Sequence, residues 1–298
     1  MMRPTRKHHY LPRHYLDGFT NGKGNFFVYD KQADRIFSSN PGASFFENNL
    51  NTVTLPPGNT SDFMEELYTY MENRFWGSLD RIRNSTHKTH VELADKMHLF
   101  LFLSFLYWRL PCNVDYAEKL SENAFIDGNE FDYFRISSKT SEPPPEEIVE
   151  IIRNSEAFKK SFKLIIPFAP FYKDKDWARR MENWRLLYTA DARSWYIVGD
   201  SPIITRSEDD RDFVTCLKEF VFPVSGKILL INTLKPPTKE IMPPGFVIDF
   251  NAAVIQRAYR FVACQDRRFL ELIIGYYKHR VQKGNTESII PEMYAMLQ

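Results

Sequence analysis

Trp195-Tyr196-Ile197-Val198-Gly199-Asp200-Ser201-Pro202-Ile203-Ile204-Thr205 decides the fold class. Two runs of aromatic and β-branched residues flank a Gly-Asp-Ser-Pro turn, the pattern of two short strands. Downstream, Phe220-Val221-Phe222-Pro223 and Lys227-Ile228-Leu229-Leu230-Ile231 repeat the strand pattern around Val224-Ser225-Gly226. Upstream, the chain changes character and reads as helix.

Working outward, Asn25 to Asp30 and Arg35 to Ser38 flank a polar link and predict a β-hairpin. Phe63, Leu67, Tyr70, Met71 and Phe75 mark one face of a helix that runs to about Arg83, with Ser61 or Asp62 as its cap. A second helix extends from Val91 to Leu110 and stops at Pro111, because a residue before proline is pushed out of the α region. Its second half is apolar nearly all round and belongs at the centre of a helical layer. Residues 115–126 read as helix, Glu142 to Glu146 as a proline-rich linker, and Trp177, Met181, Trp184 and Leu187 as a further helical face. Two helices follow, Phe250 to Cys264 and Arg267 to Val281. The expectation is an α+β protein, predominantly helical, with a small, mostly antiparallel sheet from the N-terminal hairpin and the 195–232 region. One integrated domain accommodates all of it: motif and hairpin at 8–38, helical middle at 61–190, sheet region at 195–232, helices at 250–298.

Hydrophobic residues make up 43% and aromatics 15%, which excludes a disordered chain. The formal net charge is +1, so whole-molecule charge does not support a coat for duplex nucleic acid. Cys112, Cys216 and Cys264 are too widely spaced for a zinc site or redox dithiol, and the N-terminus carries no apolar signal segment. Met97 to Leu110 is too short to span a bilayer, so no membrane partner is expected, and a cytoplasmic location is.

The opening stretch His9-Tyr10-Leu11-Pro12-Arg13-His14-Tyr15-Leu16-Asp17-Gly18-Phe19 resembles the start of the DUF4238 family. Tyr29-Asp30-Lys31, Arg109-Leu110-Pro111 and Gly199-Asp200-Ser201-Pro202-Ile203 resemble three later motifs of that family, in order, over roughly residues 8–265. The resemblance implies a bacterial antiviral defence effector. It carries motif positions (His9, Pro12, Arg109, Asp200 and Pro202) but no established catalytic residue.

From side-chain chemistry, His9 is the candidate general acid or base and Asp200 its orienter or a metal-facing carboxylate. The rival for Asp200 is a turn-defining role, accepting backbone hydrogen bonds. Arg13, His14 and Arg109 are candidate anion contacts, Arg109 being open between phosphate and a structural partner such as Asp200, Glu47 or a carbonyl. Pro12, Tyr15, Leu16, Phe19 and Pro202 hold their motifs in place. His87, His90 and His98 lack zinc-site spacing, so no metal signature is read, although a divalent ion at Asp200 stays open. Arg257, Arg260, Arg267, Arg268, Lys278, His279, Arg280 and Lys283 outnumber the nearby acids, with Tyr259, Tyr276 and Tyr277 interleaved, as in a single-stranded nucleic-acid surface or a solvated helix face with its aromatics turned to the core. The expected activity is a nuclease-like hydrolase on nucleic acid, RNA favoured because a histidine base can activate a 2′-hydroxyl without metal. A sensor of a phage component and an enzyme on a small anionic metabolite are the alternatives.

Overall fold

The computed structural model describes residues 7–55, 58–87, 91–122, 146–168, 177–190, 193–206 and 219–297. Its strands, in chain order, are β1 (Lys7–His9), β2 (Phe26–Asp30), β3 (Arg35–Ser39), β4 (Phe46–Asn48), β5 (Val53–Leu55), β6 (Asn59–Ser61), β7 (Arg185–Thr189), β8 (Val198–Gly199), β9 (Ile204–Thr205), β10 (Phe220–Ser225), β11 (Ile228–Asn232), β12 (Ile241–Met242) and β13 (Phe261–Cys264). They build a four-stranded sheet in the order β3-β2-β13-β8, a five-stranded sheet in the order β12-β7-β11-β10-β9, and two-stranded ribbons β1-β4 and β5-β6.

The class is α+β, but among the described residues the strands form two larger sheets and two ribbons where one small sheet was expected. Only β8 from the 195–232 region joins the N-terminal hairpin, and it does so through β13, which pairs Val262 with both Tyr29 and Gly199. The residues of β13 were read as helix. Helix α7 (Pro244–Arg257) in fact ends at Ala258, whose ψ of 131° is extended, and a four-residue apolar run follows. So short a run carries no periodicity that separates strand from helix, and pairing on both edges decides it. The same happens at Arg185–Thr189, read as part of a helix: one helical turn at Trp177–Arg180 gives way to β7, which pairs with β11 from Ile228↔Tyr188 to Ile231↔Arg185.

The long helices fall where their periodicity puts them. Helix α2 spans Phe63–Arg83 with Glu65 and Glu66 in its first turn and Arg81 and Arg83 in its last, each sign at the end the helix dipole favours. Its entry is held by Ser61 Oγ, which accepts from Phe63 N at 3.3 Å; the Asp62 side chain instead accepts from Thr52 Oγ1 at 2.7 Å. Helix α3 (Leu93–Arg109) buries Leu99, Phe100, Phe102, Leu103, Phe105, Leu106 and Trp108. It stops at Leu110, extended before Pro111 with ψ 135°. Helices α4 (Val114–Ser121), α5 (Glu146–Asn154) and α6 (Glu156–Ser161) continue the helical layer. The rest of the helix expected to residue 126, the linker at 142–145, His90 and Cys216 lie outside the described residues.

Helix α7, α8 (Arg267–Gln282) and α9 (Ile289–Ala295) enclose a second core with Ile197, Ile204, Val221, Leu229 and Ile231. The first core joins α2 and α3 to the opening segment and the opposite face of β10 and β11. No helix among the described residues is long and apolar enough to cross a membrane.

Candidate functional site

The opening motif is a plug between the helices and the five-stranded sheet. Pro12 precedes helix α1 (Arg13–Asp17), and its fixed φ of −54° suits the chain entering a helix. Tyr15, Leu16 and Phe19 are buried at 1% exposure or less. The Tyr15 ring stacks on Phe222 at 5.2 Å, and its hydroxyl donates to the Pro223 carbonyl at 2.7 Å. Arg83 on α2 closes the arrangement by donating to the Tyr15 carbonyl at 2.6 Å. His14 turns outward against Trp76, ring centres 3.6 Å apart, with Asp17 3.4 Å from Nδ1. Arg13 is exposed and makes no ion pair among the described residues.

Strand β1 leads into a buried polar network. His8 is fully buried and its Nδ1 accepts from the Asn51 amide at 2.8 Å, which assigns the ring proton to Nε2. The Asn51 side chain donates to Glu65 Oε2 at 2.7 Å and accepts from Lys163 Nζ at 2.8 Å. Glu65 Oε1 accepts from Arg109 Nη2 at 3.1 Å, and Arg109 Nη1 donates to Glu72 Oε1. The guanidinium also lies over the Tyr68 ring at 4.5 Å. Arg109 is therefore occupied by two carboxylates from α2, neither of them Asp200 or Glu47, and it is not a free anion contact. Burial and the Arg109 charge push the Lys163 ammonium down to about 8.

His9 borders this network. Its ring lies 5.6 Å from Phe46, and its Nε2 is buried with no hydrogen-bond partner. Burial first, then the charges of Arg109 and Arg13, lower its pKa, against the opposing pull of Glu65 and the Gly42 backbone. The balance favours the neutral ring.

Asp200 belongs to a different arrangement. Its Oδ1 accepts from Tyr259 N at 2.7 Å, and its Oδ2 from Arg260 N at 2.7 Å and Phe261 N at 2.8 Å. Burial raises this carboxyl, and the three amides and Lys31 pull it back down. No hydrogen bond or ion pair joins Asp200 to His9 among the described residues. The pairing of His9 with Asp200 as its orienter is thus not made, because the carboxylate is spent on the backbone. Pro202 is buried directly after the turn. Gly199 packs closely there: a Cβ would stand 3.1 Å from Val254 on α7 and 3.2 Å from Ala258 just after it, tight enough that these neighbours would have to give way.

The same backbone segment is held from the other side. Lys31 Nζ donates to the Ile255 and Ala258 carbonyls at 2.6 and 2.5 Å, capping α7, and Asp30 accepts from the Arg260 guanidinium at 2.9 Å. Asp30, Lys31 and Asp200 together fix Ala258 to Phe261, which forms one wall of a cleft of about 820 Å³. Facing walls come from Tyr10, Phe46 and Glu47, and from Pro111 and Cys112 after α3. Tyr259 stands in it 77% exposed. Three of the four stretches that resemble the family line it, Tyr10 of the opening motif, Pro111 of the helix end and Asp200-Ser201 of the turn, while the fourth, Asp30-Lys31, holds Ala258 and Arg260 of its wall.

A family model, "Protein of unknown function (DUF4238)", matches residues 7–268. The chain belongs to the DUF4238 family. Of this DUF4238 chain the match takes in both sheets and every element of the cleft, and leaves out most of α8 and all of α9. No curated protein and no solved structure matches it.

Glu65, Glu72, Asn51 and Lys163 of the buried network escaped the sequence reading. One signal was present: Glu65 and Glu72 are seven apart, two turns on one helix face, opposite a helix whose arginine needs a counter-charge. Three of the C-terminal basic residues are held by acids, Arg267 by Glu271, Lys278 by Asp34 and Arg280 by Glu292. Tyr276 donates to Asp249 at 2.7 Å. Arg257 and Arg260 line the cleft with Tyr259, Arg257 donating to the Thr205 carbonyl at 3.3 Å and Arg260 pairing with Asp30. His98 is tied to Ser78 at 2.8 Å.

Proposed function

We propose that this DUF4238 chain binds single-stranded nucleic acid in the cleft beside Asp200, RNA ahead of DNA, and acts through it in bacterial defence against phage. The observation that carries the reading is that three motif stretches line, and the fourth braces, one cleft walled by Tyr10, Phe46, Tyr259 and Phe261 with Arg257 and Arg260. Aromatic faces beside guanidinium groups suit stacked bases followed by a phosphate backbone. Glu47 in the wall offers an acceptor to a ribose 2′-hydroxyl, which deoxyribose lacks.

Asp200 has the place of a positioning group, holding Tyr259 and Arg260 at the ligand. A second reading, hydrolysis of the bound strand, rests on His9, whose buried Nε2 is unpartnered and whose ring is neutral and so available as a base. His9 does not line the cleft itself but lies beside its wall residue Phe46, ring centres 5.6 Å apart.

The test is binding of a labelled single-stranded RNA, the matching DNA and duplex RNA to the wild type and to Tyr259→Ala. Loss of one stacking face should weaken RNA binding roughly tenfold. Absence of RNA binding by the wild type, or equal binding by Tyr259→Ala, overturns the proposal. Intact RNA after incubation favours recognition; cleavage that His9→Gln abolishes favours hydrolysis. Phage challenge with Tyr259→Ala tests the defence role, which predicts lost protection.

A further inference from the structure

A second recess lies away from the cleft, between helices α2 and α3 and the five-stranded sheet. It has a volume of about 430 Å³, within the range of small-molecule sites. Its floor is apolar, built by Leu99, Leu186 and Leu230 with the Trp184 and Tyr188 rings beside them. Two cations line it. Lys96 Nζ donates to the Met181 carbonyl at 3.2 Å, and Arg185 Nη1 to the Glu182 and Trp184 carbonyls at 2.5 and 3.0 Å. Neither has a carboxylate within ion-pair distance among the described residues, although Glu182 and Glu240 also line the recess. A third donor is buried in the same wall: the Trp184 indole N–H, in a side chain 2% exposed, has no hydrogen-bond partner.

We propose that this recess is a binding site for a compact organic anion with a flat apolar body, an aromatic carboxylate being the simplest member. The rings and leucines take the body, and the anionic head sits with Lys96 and Arg185. Burial first and then the Arg185 charge hold the Lys96 ammonium below its ordinary value, and the Glu182 carboxylate offsets this only in part, so the two like charges still repel. An anion placed between them relieves that repulsion; a neutral ligand of the same shape does not. A cationic ligand is opposed by both. The site shares no residue with the cleft and does not depend on the nucleic-acid reading.

The experiment is calorimetric titration of the full chain with 1-naphthoate, 1-naphthylmethanol and 1-naphthylmethylammonium at low ionic strength. Naphthoate should bind saturably at or below about 1 mM, and the alcohol and the ammonium at least tenfold more weakly, that is, by about 1.4 kcal/mol. Lys96→Gln and Arg185→Gln should each weaken naphthoate binding about tenfold with unchanged melting. Tyr259→Ala should leave it untouched. Equal binding of the alcohol, unchanged binding by both glutamine variants, sensitivity to Tyr259→Ala, or no saturable binding at about 1 mM overturns the proposal. Should one variant fail to fold, the other still decides.

Discussion

Arg109 at the end of α3 and Glu65 in the first turn of α2 meet at 3.1 Å, with Glu72 on the guanidinium's other arm. Arg109 is 3% exposed. Removing one partner of a buried pair leaves the other uncompensated, so Arg109→Met should destabilise the fold by about 3–5 kcal/mol in urea unfolding. Arg109→Lys should recover little of this, because an ammonium cannot present a planar fork to two carboxylates. Near-normal stability of the lysine variant would show that the fork geometry is dispensable.

Asp200→Asn removes the charge and one of the two acceptor oxygens that serve three backbone amides. Bonds to a charged acceptor are worth about 1.5–3 kcal/mol each, so the variant should lose at least about 2 kcal/mol. Hydrogen exchange at the Tyr259, Arg260 and Phe261 amides should accelerate well beyond the change in the neighbouring helix α7. A variant that lost activity while keeping these amides protected would instead place Asp200 in the chemistry.

Asp200 also shows where sequence reading stops. The Gly-Asp-Ser-Pro turn was legible because proline and glycine restrict the backbone locally, and α2 and α3 were legible because a helix writes its buried face every three to four residues. The partners of Asp200 lie some 60 positions on, at the entry to a strand whose apolar run mimicked a helix, and nothing local reports such a meeting. His9 drew attention by its type, whereas the histidine bonded into the network is His8, its neighbour on the opposite face of β1. Asn51, Glu65 and Lys163 are ordinary polar residues in sequence and become unusual only once burial removes water from them.

Lys163 gives a signed pH dependence. Its ordinary value of 10.5 applies to the unfolded chain and about 8 to the folded one. Between those values the unfolded chain binds the extra proton, so stability rises with pH; below about 8 the full penalty, roughly 3 kcal/mol, is present. In Lys163→Met this slope should vanish, and the wild type should gain on the variant between pH 8 and 10. Parallel unfolding curves across that window would contradict the burial of a charged amine at this position.

The His9 ring tests the charge arrangement at the opening motif. Its folded pKa lies below the ordinary 6.5, so this group costs nothing above pH 6.5. As pH falls from there the unfolded chain takes up the proton first, and stability declines until the folded ring also titrates. His9→Gln should make the acid side of the stability profile shallower. Arg13 is one of the charges that lower the value, and it is exposed, so Arg13→Gln should leave the fold intact and raise the midpoint seen for the His9 ring by NMR. A midpoint at or above 6.5 in the wild type, or one that moves down on removal of Arg13, would mean that His9 faces a carboxylate more closely than the two arginines beside it.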